Sequence, residues 1–182
     1  METNMLCRMP QGLYILCTKN QKKLNGMVLT LGFPVSPNPP LIAVSVHKEA
    51  LTHVFINETK LFNLSLLTKY APESLIRKFS LKSGKDTDKF QGISYQLGKN
   101  GVPVLMESTV GYLEAELVKS VDLDKHSLFI GNVTNMEVLN DEEPMISLDY
   151  QGFRPGKYKK AAQNYIYEES LDLPMSGLWP YI

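Results

Sequence analysis

Along most of this chain apolar and polar residues alternate with a period of two, the spacing of strands whose successive side chains point to opposite sides. Gly12–Thr18 is apolar on both sides, with Leu13, Ile15 and Cys17 opposing Tyr14 and Leu16, so it reads as a strand buried on two faces. Asn20 to Lys23 is a polar turn, Leu24–Phe33 returns as a second strand, and Leu41–His47 is a third. In Leu61–Leu67 the residues Phe62, Leu64 and Leu66 share one side, and Asn63 and Ser65 the other. Val110–Lys119, Ser127–Leu139 and Met145–Tyr150 complete the set. Strands separated by turn signals in this way predict a barrel or a sandwich.

Helical spacing is confined to two stretches. Ala50–Glu58 sets Leu51, Val54, Phe55 and Glu58 on one side, and Ala71–Phe79 carries Pro72 in its first turn with Leu75, Ile76 and Phe79 facing inward. Ser80–Asp88 reads as a loop, and no internal repeat or low-complexity segment is present.

Composition acts mainly by exclusion. A chain of 182 residues with 43% hydrophobic and 21% charged residues fits one ordered domain with a substantial core. Lys+Arg and Asp+Glu both number 19, which leaves no basic field to attract nucleic acid. No segment approaches the run of about 18 apolar residues of a membrane span, and Met1 to Met9 lacks a signal-peptide core, so a cytoplasmic protein is the expectation. Cys7 and Cys17 form no CxxC, which excludes a disulfide scaffold and a zinc ribbon. Cys17 is either a redox thiol or a small apolar filler of its strand, and the filler is the simpler reading.

The familiar catalytic sets are missing. No GxGxxG opens a helix, Gly84-Lys85 lacks the upstream glycine of a P-loop, and no GxSxG elbow occurs. His47, His53 and His126 never stand at metal-ligand spacing, so no metal site is expected. Any redox or group chemistry would then come from a cofactor.

The segment 41–52 suggests which kind. Residues shrink toward Ser45 along the strand face of Leu41 and Ala43, and a helix opens near Ala50-Leu51-Thr52 with unpaired N–H groups. Lys48, Ser45 and Thr52 could complete a phosphate cup there. The alternative is that Thr52 merely caps a helix and Ser45 merely fits a sheet. Asn25-Gly26 is a turn signal, with Gly26 free to take a positive φ, or else a place where backbone approaches a flat ring. Pro39-Pro40 fixes the corner into the third strand. His126, at the mouth of a strand on the side of Leu128 and Ile130, either faces a ring such as nicotinamide or is structural.

The run Asn25-Gly26-Met27, Thr30, Val35-Ser36, Pro39-Pro40-Leu41, Val44-Ser45-Val46, Thr52-His53, Ile56, Phe62 and Leu66 carries a resemblance. So do Phe90 and Gly92, Pro103-Val104-Leu105, and His126 with Phe129-Ile130-Gly131-Asn132-Val133. Together, over Met5 to Arg154, they resemble the flavin reductase-like, FMN-binding split-barrel family, which includes flavoredoxins and the flavin domain of high-molecular-weight rubredoxins. The resemblance implies a mainly β, six-stranded antiparallel split β-barrel in residues 1–154 with a few peripheral helices. A tail, 155–182, would pack on the barrel or across a homodimer. One FMN per subunit would lie near the dimer interface, its ring along Met27, Val28, Leu29, Thr30, Leu31, Gly32 and Phe33. Ser45, His47, Lys48 and Thr52 would meet its phosphate, with Asn25 and Val46 also among the cofactor-binding residues. A loop carrying Lys85, Lys89 and Phe90 would close the site, Tyr150 and Phe153 would border it, and His126 would stand beside the reactive face.

By the same resemblance the chain would take hydride from NADH or NADPH and pass electrons to free flavin, a metal ion or a rubredoxin-like protein. An electron-transfer flavoprotein that does not react with NAD(P)H, and a split-barrel binding protein without redox activity, are the alternatives. Val28, Leu29 and Leu31 are bulkier than usual after the Asn-Gly pair, and Pro34 stands where a hydroxyl residue is common. No cysteine-rich segment follows, so a rubredoxin acceptor is expected to be a separate protein.

Overall fold

The computed structural model describes residues 9–147 and 150, with 22, 81–83, 85 and 86 outside the description. In chain order these form β1 (Tyr14–Lys19), β2 (Leu24–Leu29), β3 (Gly32–Pro37), β4 (Pro40–His47), α1 (Leu51–Thr59) and β5 (Leu61–Leu67). Then come α2 (Glu73–Ser80), β6 (Tyr95–Leu97), β7 (Pro103–Leu105), β8 (Thr109–Leu123) and β9 (His126–Val138). Seven strands make one antiparallel sheet in the order β2-β1-β5-β8-β9-β4-β3, and β6-β7 is a separate ribbon.

That order dictates a barrel. The end strands β2 and β3 are consecutive in sequence, joined only by Thr30 and Leu31. Three residue steps span roughly 10 Å, whereas six spacings across a flat sheet would separate the end strands by roughly 29 Å. The sheet must therefore curl until its ends meet. β2 and β3 do not pair, so a seam stays open there, and Ser45 N–H donates to Leu31 O (2.9 Å) to hold the crossing.

Strand alternation gives two cores. Leu16, Met27, Leu29, Ile42, Val44, Val46, Phe62, Leu64, Ala115 and Phe129 fill the barrel, joined by Ala50 and by Ile56 of α1. On the opposite face of β1 and β2, Ile15, Cys17 and Val28 pack under Leu75, Ile76 and Phe79 of α2, with Phe90, Val102, Leu105, Met145 and Tyr150. Glu73 in the first turn of α2 and Arg77 and Lys78 in its last suit the helix dipole. The chain leaves α1 through Lys60 in the left-handed region (φ 63°), whose N–H donates to Ile56 O. Buried Glu114 anchors the β6-β7 ribbon to β8 by accepting the Asn100 N–H (2.9 Å), and it also accepts from Asn135 Nδ2 of β9 (2.8 Å).

Several sequence expectations need correction. The sheet has seven strands rather than six, because the run 24–33 breaks at Thr30 and Leu31 into strands at opposite ends of it. Asn25-Gly26 is not a turn but lies within β2, opposite Thr18 and Cys17; the turn is at Asn20 and Lys23, whose backbone groups bond at 3.0 Å. A Cβ on Gly26 would stand 2.8 Å from the Phe79 ring, so glycine here serves packing rather than a positive φ. The first strand begins at Tyr14, with Gly12 reduced to an isolated bridge to Ile146. Met145–Tyr150 is not a strand: Ser147 and Tyr150 are helical, and Tyr150 N–H donates to Ile146 O.

Candidate functional site

The seam is bounded on one side by the free edge of β2. Counting alternately from the Asn20–Lys23 bond, the N–H and C=O groups of Gly26 and Val28 point away from β1. Lys89 confirms the direction, since its Nζ reaches Gly26 O (2.8 Å) as well as Phe79 O (3.0 Å). The other side is the end of β4 and the start of α1. Ala50 is the N-cap residue and gives no side-chain cap, and no acidic residue stands in the first turn, so the positive end of α1 is uncompensated. Asn25 Nδ2 donates to Thr52 Oγ1 (2.8 Å), a buried bridge across the seam. Gly84 sits over this bridge: a Cβ there would run into Asn25 Oδ1.

All three histidines gather beside α1. His47 and His126 face each other in register across β4 and β9, their rings edge-on with centroids 5.0 Å apart. His126 Nε2 is buried without a hydrogen-bond partner among the described residues, and burial followed by the proximity of His47 keeps this imidazole below its ordinary pKa. His53 Nε2 lies 2.9 Å from Ser127 Oγ, and its pKa is lowered by burial first and then by Lys48, with Asp122 opposing and His47 adding to the fall. Lys48 forms an ion pair with Asp122 of β8, and its N–H donates to Lys125 O (2.9 Å). No three His, Cys, Asp or Glu side chains among the described residues could together hold a metal ion.

The structure brings Asn25, Ser45, His47, Lys48, Thr52 and His126 to this region, with Thr30, Leu31, Gly32 and Phe33 along the crossing and into β3. Other expected residues are used elsewhere. The side chains of Met27, Leu29 and Val46 fill the barrel and that of Val28 lies under α2, so these positions can offer only backbone to a ligand. Lys89 is a buried strap between β2 and the end of α2, its pKa lowered to about 8 by burial. Phe90 packs against Phe79 and Tyr95. Tyr150 lines a cavity of about 320 Å³ with Ala71, Pro72, Ile76 and Met145, sharing no lining residue with the seam. Lys85 and Phe153 lie outside the described residues. Cys17 is fully buried and burial pushes its thiol pKa up, which fits the filler role. Asp122, Ser127 and the Asn25–Thr52 bridge gave no sequence signal, since each depends on contacts made across the fold.

A family model described as the flavin reductase like domain matches residues 6–157. The chain belongs to that family. Membership makes it an oxidoreductase of the flavin reductase type. A high molecular weight rubredoxin of Moorella thermoacetica is 42% identical over 165 residues, covering 91% of this chain and 72% of that protein. A ferric-chelate reductase (NAD(P)H) of Archaeoglobus fulgidus is 32% identical over 165 residues, covering 91% of this chain and 98% of its own length. The fold also aligns with the crystal structure of an FMN-binding protein from Thermus thermophilus with bound 1-cyclohex-2-enone (TM-score 0.67, 25% identity, 72% of each chain). Among the described residues no helix is long and apolar enough to cross a membrane.

Proposed function

We propose that the seam holds FMN, and that the protein takes hydride from NADH or NADPH and passes electrons to free flavin, a metal ion or a redox protein. The observation that carries this reading is the uncapped, uncompensated start of α1 facing an open sheet edge. The donor set fits the group. A phosphate wants N–H donors, hydroxyls and positive charge, which the first turn of α1, Thr52, Ser45 and Lys48 supply together. Thr52 accepts from Asn25 and so keeps its own hydroxyl hydrogen to donate. Buried acceptors are rarely left alone, and Asn25 Oδ1 and Thr30 Oγ1 have no partner among the described residues, which suits hydroxyls of a ribityl chain. A flat ring system in turn suits the free edge of β2 at Gly26 and Val28.

When bound, FMN would supply the hydride-accepting centre and hand electrons to the acceptor. The protein's own groups would do the rest. Backbone N–H groups of the β2 edge would stabilise negative charge on a ligand. His126 would offer a neutral imidazole, between Leu128 and the edge of His47, to a nicotinamide ring.

The ferric-chelate reductase (NAD(P)H) relative favours NAD(P)H as the reductant, and the second reading is an electron-transfer flavoprotein that does not react with NAD(P)H. Adding NADH and NADPH anaerobically to FMN-loaded protein separates the two. Rapid bleaching of the visible flavin band supports the reductase, an inert spectrum the carrier, and failure to take up FMN removes both.

A homodimer belongs to the same proposal. Phe33 pairs with Ala43, and Ala43 with Ile130, on the outer face of the barrel, where Phe33 (51%), Val35 (48%) and Leu123 (48%) stay exposed. That apolar face gives a second copy a surface to bury. Residues 1–154 would form the FMN-binding unit, with 155–182 packing on it or on the partner.

A further inference from the structure

We infer that Asp122 competes with the flavin phosphate for Lys48 and thereby sets how tightly the cofactor is held. The inference rests on the reading of Lys48 as a phosphate ligand. Lys48 leads from the end of β4 towards α1, and its backbone N–H is tied to Lys125 O in the β8-β9 turn. The backbone at Lys48 is thus fixed while its four-carbon side chain can still swing. Asp122 lies in register with Ser127, and Ser127 with Val46, so its carboxylate rises from the face on which His53 meets Ser127. From there it pairs with Lys48. The two anions, carboxylate and phosphate, therefore approach one ammonium from different elements of the fold.

Two of the neighbouring histidines add little to this positive charge. His53 is held below its ordinary pKa with Lys48 itself among the causes, so it adds little positive charge. His126 is likewise held down by burial and by His47. A phosphate seated at α1 gains the full charge of Lys48 only when Asp122 releases or shares it.

The size of the effect follows from exposure. The side chains of Lys48 and Asp122 are 36% and 76% exposed, a regime in which solvent-screened pairs differ from unpaired charges by small factors. Freeing Lys48 should accordingly tighten FMN binding about twofold to fivefold. Asp122 would act as a modulator that keeps the cofactor exchangeable, not as an on–off gate.

The test is a set of flavin-fluorescence titrations with FMN and with riboflavin, which lacks the phosphate. The proteins are the wild type, Asp122→Asn, Lys48→Gln and the double variant. The expected pattern is tighter FMN binding in Asp122→Asn, unchanged riboflavin binding, and no gain from Asp122→Asn in the Lys48→Gln background. If Lys48→Gln weakens FMN binding but Asp122→Asn leaves it unchanged or weaker, the competition is refuted and the phosphate reading stands. If Lys48→Gln leaves FMN affinity untouched, the phosphate reading fails and the competition with it. A gain that extends to riboflavin, or persists without Lys48, refutes competition by showing a general effect of removing negative charge.

Discussion

Replacing Lys89 by methionine should abolish a rise in folding stability with pH that the wild type shows on the alkaline side of neutrality. The buried ammonium donates to Gly26 O and Phe79 O, and burial lowers its pKa from 10.5 to about 8. An ammonium with a depressed pKa penalises the folded state, because the unfolded chain binds the proton more tightly. The penalty is complete below the folded value and is relieved as pH climbs from there towards 10.5. Between about pH 7 and about pH 9 the relief is on the order of 1 kcal/mol. Cys17 works against it by a fraction of that amount, since its thiol stays protonated in the fold but begins to ionise in the unfolded chain by about pH 9. The net rise is about 1 kcal/mol, large enough to read from urea midpoints at a series of pH values. The methionine variant keeps the Cys17 effect and loses the rise. Wild-type stability that stays flat or falls between about pH 7 and about pH 9 would refute the argument, as would a methionine variant that retains the rise.

Three further outcomes are expected. Thr52→Ala should weaken FMN binding by about 1–3 kcal/mol, measured by calorimetry, because it removes a phosphate donor and leaves Asn25 Nδ2 unpaired; unchanged affinity would remove Thr52 from the cup. In stopped-flow reduction by NADH, His126→Ala should slow bleaching of the flavin while leaving FMN affinity within about twofold; the reverse result would make His126 a cofactor ligand. Phe33→Asp, which puts a charge on the exposed apolar face, should shift the protein towards monomer in sedimentation velocity, and an unchanged sedimentation coefficient would place the dimer contact elsewhere.

Much of the fold was legible because its signals are local. The two-sided apolar pattern of β1 requires a core on each face, and the structure supplies the barrel for Leu16 and α2 for Ile15 and Cys17. The helical spacing of Leu75, Ile76 and Phe79 found its face for the same reason. What escaped the sequence depends on distant partners. Nothing between Leu24 and Phe33 says that this alternating run crosses from one end of a sheet to the other, since that follows from how β8, β9 and β4 pair. Asn25-Gly26 looks like a turn because the glycine that accommodates Phe79 carries no mark distinguishing it from one chosen for its φ. At the site, the helix start and Lys48 were readable, but the carboxylate facing Lys48 lies 74 residues further along the chain (122 − 48). The place of Tyr150 beside α2 was not legible either, because it depends on where the chain passes beyond β9.

The open side of β2 also has a dynamic consequence. Amides of β5 and of residues 111–116 in β8 sit between neighbours on both sides and should exchange with deuterium only on global unfolding, whereas those of Gly26 and Val28, which point away from β1 at the open margin, should exchange much faster. A ligand lodged along that margin would slow the second group while leaving the first unchanged. Residue-resolved deuterium uptake would thus report occupancy of the crevice directly, even for a cofactor analogue that is colourless and redox-inert.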